Sequence, residues 1–306
     1  MKQSSLLKKI KNQKALILIS LPFIAYIIIF SYLPMAGLIM AFQDFDVTSD
    51  VPIFKQPLIG WANFRELFAI DEFSLAFRNT VVMGVLNLLS STIAGVFLAL
   101  VLSEVKNKTL KKTTQLISYF PYFISWVIVT NFIVNFLSLD GLLNKMLVGI
   151  GILEKPVLFM AEPKYFWAIT TLSYVWKGVG YGSIVYLSAI VAIDPAIYEA
   201  AVIDGAGRIK KITKITIPCI MPTIQLLFIM NCGWVIGSGF EQQMLLKNTA
   251  NQQYAQVIDL FVLKYGTSQG RLSFATAAGL FKSVVSVILL ATVNFIGKKI
   301  NGISLF

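Results

Sequence analysis

The chain has 306 residues, 57% of them hydrophobic and 13% charged, with a mean hydropathy of +0.75 and a formal net charge of +11. Soluble domains carry about 25% charged residues, so this composition excludes a soluble enzyme or binding module and predicts an all-α integral membrane protein. A strongly basic soluble chain would suggest nucleic acid; here the basic residues follow membrane topology, and no nucleic-acid partner is implied. There is no histidine, and Cys219 and Cys232 sit in or beside an apolar run, so neither a metal site nor a disulfide framework is expected.

Residues 1–14 carry Lys2, Lys8, Lys9, Lys11 and Lys14 without an acid, and an apolar run follows over about 15–42. That run is about twice as long as a signal-peptide core and lacks a clear cleavage site, which predicts a retained span. Residues 43–78 turn acidic, and Trp61 within the short amphipathic stretch 60–68 suits the headgroup level. Further spans are expected over about 79–102, 115–137, 166–193, 217–240 and 274–296, giving six transmembrane helices in one membrane domain, 15–306. A polar-tolerant loop, 194–216, joins the fourth span to the fifth.

With six spans both termini share a side. The two tails and the loops at 103–114 and 194–216 hold 15 of the 26 Lys and Arg residues, against nine in the three longer loops on the other side. The positive-inside rule therefore places both termini and the 194–216 loop in the cytoplasm.

That loop has its own local logic. Asp194 is a suitable N-cap, Pro195 suits the first helical position, and Gly205 supplies the permissive backbone that ends a helix over about 195–204. A second short helix is expected through Arg208 and Lys211, with Pro218 marking the start of the next segment. Glu199-Ala200-Ala201, Asp204-Gly205-Ala206, Ile215 and Pro218 together resemble the "EAA" loop of permease subunits of binding-protein-dependent ABC importers. The phrases 34–42, Asn63-Phe64, Arg78-Asn79-Thr80, 120–126 and 273–283 resemble the LplB-type oligosaccharide permeases of the carbohydrate branch.

The resemblance implies a type I ABC importer (MetI-like) permease fold in a bacterial plasma membrane, with 194–216 as a coupling helix docked on an ATPase. Tyr198, Glu199, Ala200, Ala201, Asp204, Gly205, Ala206 and Arg208 are its coupling residues. The implied partners are a second homologous permease in a heterodimer, two ATPase subunits that bind ATP and Mg, an extracytoplasmic sugar-binding protein, an oligosaccharide and membrane lipid.

The sequence itself contains no Gly-x-x-x-x-Gly-Lys-Ser/Thr phosphate loop and no catalytic constellation, so no cofactor and no enzymatic activity are expected of this chain. Candidate substrate-path residues are those that set aromatic faces beside polar groups inside the spans, the combination sugars require: Tyr122, Trp126, Tyr174, Trp176, Lys177, Tyr181, Asn231, Trp234, Ser238 and Lys282. Helix packing is the competing reading for each. Lys177 and Lys282 are costly in a membrane and call for a cavity, an interface or a carboxylate of the sister subunit. An anionic glycan would give them an electrostatic role. A permease for a peptide or lipid-linked solute is the alternative within the family, and an ATP-independent secondary transporter the alternative outside it.

Overall fold

A computed structural model describes residues 13–237 and 239–302. The basic tail before residue 13, Ser238 and the terminal residues 303–306 therefore lie outside the described residues. Among the described residues the chain is helical, apart from a single bridge between Gln43 and Leu58. Among the described residues four helices are long and apolar enough to cross a membrane, or up to six if each of two bent pairs counts as one crossing. The helices are α1 (Lys14–Phe42), α2 (Ala62–Ala69), α3 (Asp71–Glu104), α4 (Lys108–Tyr119), α5 (Trp126–Phe136), α6 (Leu142–Gly149), α7 (Phe166–Val191), α8 (Pro195–Ile203), α9 (Arg208–Cys232), α10 (Phe240–Leu246), α11 (Gln252–Ala255), α12 (Ile258–Leu263) and α13 (Leu272–Asn301).

One compact unit comprises residues 1–69 and 264–280. Its long helix α1 exposes nearly all of its apolar side chains, as suits contact with lipid or another membrane helix. Pro22 sits inside it, while Pro34 follows a widened π turn, Ile28–Tyr32, in which the Leu33 amide reaches back to the Ile28 carbonyl. Beyond α1, the buried Asn63 donates to the carbonyls of Ala41 and Gln43 at 3.0 and 3.1 Å, and Phe42, Trp61 and Phe64 pack ring against ring. Arg271 and Glu66 pair at 2.6 Å.

The second unit comprises residues 70–263 and 281–306. Its centre is the lengthwise pairing of α3 with α7, buried through Ala99, Leu102, Tyr186, Leu187 and Ile190, with Ile220 of α9 against them. Gly180 is required by the packing: a side chain there would start 2.0 Å from the Ser118 carbonyl oxygen of α4. A second core joins Met83 to Val129, Ile133, Phe166, Leu246 and Leu260.

Three features differ from the sequence expectation. The third apolar segment, expected as one span over 115–137, consists of α4 and α5 bent by 100° across a 3₁₀ turn at Phe120–Phe123. Pro121 in that turn lacks an amide donor, and Ile124 and Ser125 adopt extended backbone, so the helical ladder stops there. Pro218, expected as a boundary, lies inside α9, which runs unbroken from Arg208 to Cys232. A π turn at Ile212–Thr216 precedes it, with the Ile217 amide bonded to the Ile212 carbonyl, and this widened turn makes room for the Pro218 ring. Pro34 is accommodated in the same way, two residues past its own π turn. Finally, the fifth segment ends at Cys232 rather than near 240, and the loops around it and after α5 contain the short helices α6, α10, α11 and α12.

Candidate functional site

The break between α4 and α5 creates the central chemical feature. Ending a helix between apolar segments leaves carbonyl oxygens that a group outside the helix can satisfy. Lys177 on α7 does so: its Nζ donates to the Tyr122 carbonyl at 2.7 Å and to the Pro121 carbonyl at 3.4 Å. The same ammonium lies 5.5 Å from the ring centroids of both Tyr122 and Trp126. Among the described residues no carboxylate forms an ion pair with it. Beside it, the rings of Tyr122 and Tyr181 stack at 4.1 Å with an interplanar angle of 8°.

These groups line a cavity of about 480 Å³ within the second unit, walled by α3, the α4–α5 break, α7 and the end of α9. Of the residues singled out in the sequence, the structure brings Tyr122, Trp126, Tyr174, Lys177, Tyr181, Asn231 and Trp234 to this one cavity. Trp176 is elsewhere, stacked on Phe132 and 45% exposed, because adjacent helical residues point about 100° apart. Ser238 is not among the described residues. Lys282 also stands apart from the cavity and pairs with Asp259 at 2.5 Å, so its countercharge comes from this chain.

The side chains of that pair are 22% and 26% exposed. Removing one partner strands the other in a poorly solvated site. Lys282→Met should lower stability by about 3 kcal/mol, somewhat less than a fully buried pair would lose, and Lys282→Met combined with Asp259→Asn should recover most of it. Thermal unfolding of the purified protein measures both.

Sequence reasoning missed the α3 contribution: Gly84, Asn87, Leu88, Ser91 and Thr92 also line the cavity. The signal was present, since small and polar residues recur there at three- and four-residue intervals in an otherwise apolar helix.

The 194–216 loop, a helix–Gly–helix elbow, follows its local chemistry. Asp194 Oδ1 accepts from the Ala196 amide at 2.9 Å, Pro195 opens α8, and Gly205 ends it at φ +73°. Tyr198 and Thr216 share a hydroxyl hydrogen bond at 2.8 Å, and Arg208 pairs with Glu104 at the end of α3 at 2.7 Å. No residue of α8 is buried, and Glu199, Ala200, Asp204 and Gly205 are exposed, with Tyr198, Ala201 and Ala206 partly so. Ile203 and Ile209 are 87% and 77% exposed, an apolar surface beside a free Glu199 carboxylate that makes no ion pair among the described residues.

A helical chain with several apolar segments, a largely apolar cavity carrying a few polar groups among them and an exposed elbow has the form of a membrane transport component. Residues 91–302 match the family described as "Binding-protein-dependent transport system inner membrane component", and the chain belongs to that family as a multi-pass membrane protein. It is 36% identical over 298 residues to Protein LplB of Bacillus subtilis (strain 168), covering 97% of this chain and 92% of that one. It is 38% identical over 299 residues, with the same coverage, to the polygalacturonan/rhamnogalacturonan transport system permease protein YteP of the same organism. A chain of the crystal structure of a bacterial ABC transporter involved in the import of the acidic polysaccharide alginate is 40% identical, with a TM-score of 0.88 over 97% of this chain and 99% of that one.

Proposed function

We propose that this chain is the permease subunit of an ATP-driven importer of acidic oligosaccharides, with the cavity as part of the sugar's path and the elbow as the contact for a separate ATPase. The observation that carries the substrate class is Lys177, a cation in the spanning region held by carbonyl oxygens and ring faces, with the Glu241 carboxylate in its electrostatic reach but no carboxylate paired to it among the described residues. A cation so placed is costly, and a carboxylate on a passing sugar offsets that cost. The stacked tyrosines offer the flat apolar surface that the C–H face of a sugar ring covers. YteP is named for polygalacturonan/rhamnogalacturonan, which are built with uronic acids, and the alginate importer is described as taking an acidic polysaccharide, which agrees with this reading.

The remaining partners are a homologous sister permease, two ATPases carrying ATP and Mg, and an extracytoplasmic binding protein that delivers the sugar. Both termini and the elbow face the cytoplasm in this reading, which the excess of Lys and Arg on that side supports. Closure of the ATPases then moves the elbows, and through the continuous α9 and the Arg208–Glu104 pair on α3 that motion reaches two walls of the cavity.

The test is reconstitution of the complete importer in proteoliposomes with trigalacturonate and trimannuronate as probes. ATP-dependent accumulation of at least one is expected, with no ATP hydrolysis by this chain alone. Accumulation without the ATPase, or of peptides in place of uronates, overturns the proposal.

A further inference from the structure

The start of α4 carries charge that the rest of the chain does not answer. Lys106, Lys108, Lys111 and Lys112 fall within seven residues, and no acid occurs between Val105 and Leu139. None of these four ammonium groups makes a hydrogen bond or an ion pair among the described residues. The nearest carboxylate in sequence, Glu104, is engaged by Arg208 at 2.7 Å, and that pair also fixes the segment on the elbow's side of the molecule. Lys106, Lys108 and Lys112 are exposed, and Lys111 is half-buried.

Their placement along the helix shows what the charge meets. Lys111, Thr114, Gln115, Ser118 and Tyr119 are half-buried at three- and four-residue intervals, the face that packs on α7, where Ser118 meets Gly180. The opposite face is exposed, and one four-residue row along it reads Lys108, Lys112, Leu116, Phe120. Leu116 and Phe120 are 61% and 67% exposed, and Ile117 beside them is 69% exposed. A single surface therefore changes from cationic to apolar within one helical turn. Water suits the first half and not the second, whereas the boundary of a bilayer suits both. From Lys112 to Phe120 the helix rises about 12 Å, which fits one leaflet of a hydrocarbon layer about 30 Å thick. Helical side chains lean towards the N-terminus, so the lysine stems reach back towards the headgroups.

We infer that this face of α4 is a docking surface for anionic phospholipid in the leaflet on the elbow's side. Lys106, Lys108 and Lys112 meet the headgroup phosphates, and the acyl chains lie along Leu116, Ile117 and Phe120. A zwitterionic lipid covers the apolar half equally well but brings its own cation to the phosphate, so the charge selects lipids with net negative headgroups. None of these residues lines the cavity, so the surface is separate from the sugar's path. Basic residues orient a chain as it inserts; the Lys-to-apolar row adds a lasting lipid contact beside the Glu104–Arg208 link to the elbow.

The experiment uses the full chain in phosphatidylcholine vesicles, with a fluorophore on Thr113→Cys, an exposed position beside the row, and with Cys219 and Cys232 replaced by alanine. The probes are phosphatidylglycerol and phosphatidylcholine carrying the same nitroxide on an acyl chain, which quenches the fluorophore on contact. Phosphatidylglycerol is expected to reach half-quenching at a concentration at least fivefold lower, the enrichment that one lysine near an anionic headgroup supplies. Combining Lys106→Gln, Lys108→Gln and Lys112→Gln should cut that preference below twofold and leave quenching by phosphatidylcholine unchanged. Glutamine keeps the helix propensity of these exposed positions, so stability should not change. Salt at about 1 M should act like the triple variant, because the screening length falls to about 3 Å. Equal quenching by the two lipids, or a preference that survives the triple variant, overturns the inference. So does loss of quenching by both lipids once the sister permease and ATPases are added, which means that a protein covers this face. The readout involves no transport, so a chain that imports no uronate would overturn the proposed function and leave this result standing.

Discussion

Lys177→Met is expected to reduce uptake of a uronate trimer at least tenfold relative to the same trimer with its carboxyls reduced to alcohols, while Lys177→Arg retains most activity on both. A charge-assisted contact contributes about 1.5–3 kcal/mol, and 1.4 kcal/mol is one decade in rate. The carboxyl-reduced sugar isolates the electrostatic part from the structural part, because Lys177 also satisfies the Pro121 and Tyr122 carbonyls at the helix break. Methionine leaves the Tyr122 carbonyl without that donor, while the Pro121 carbonyl keeps the Ile124 amide at 3.2 Å, so some loss of thermal stability accompanies either outcome. Equal slowing of both sugars would mean that Lys177 serves the break and does not meet the substrate.

The elbow should give the other large effect. Glu199 is exposed and unpaired among the described residues, whereas the nearby Arg208 is already engaged by Glu104. Glu199→Arg is therefore expected to leave folding and membrane insertion intact and to abolish sugar-stimulated ATP hydrolysis by the assembled complex. Arg208→Ala should act more mildly, since an exposed ion pair contributes at most about 1 kcal/mol. Measuring stimulated ATPase activity beside the thermal stability of both variants separates lost coupling from lost structure.

The parts of this molecule that were legible in the sequence are those governed by local backbone chemistry. Asp194, Pro195 and Gly205 fix the start and end of α8 without help from the rest of the fold, and the structure ends that helix at Ile203, one residue short of the expected boundary. Apolar segments long enough to cross a membrane were equally plain, because hydropathy alone defines them. The prolines were harder. Pro121 breaks its helix, while Pro34 and Pro218 are absorbed two residues after a π turn, and nothing in the local residue types distinguishes the two outcomes.

Side-chain direction was harder still. Trp176 and Lys177 are neighbours in sequence, yet only Lys177 faces the cavity, and that depends on which side of α7 meets the α4–α5 break. The carboxylate that neutralises Lys282 lies 23 residues away on a short helix that the sequence presented as loop.

The most direct measurement places a single cysteine at Ala201, with Cys219 and Cys232 replaced by alanine, and follows its reaction with a membrane-impermeant maleimide. The elbow account predicts no labelling in intact cells, labelling once the membrane is opened, and protection when the ATPase is assembled on the permease. Labelling from outside intact cells, or full reactivity in the complete complex, would contradict it.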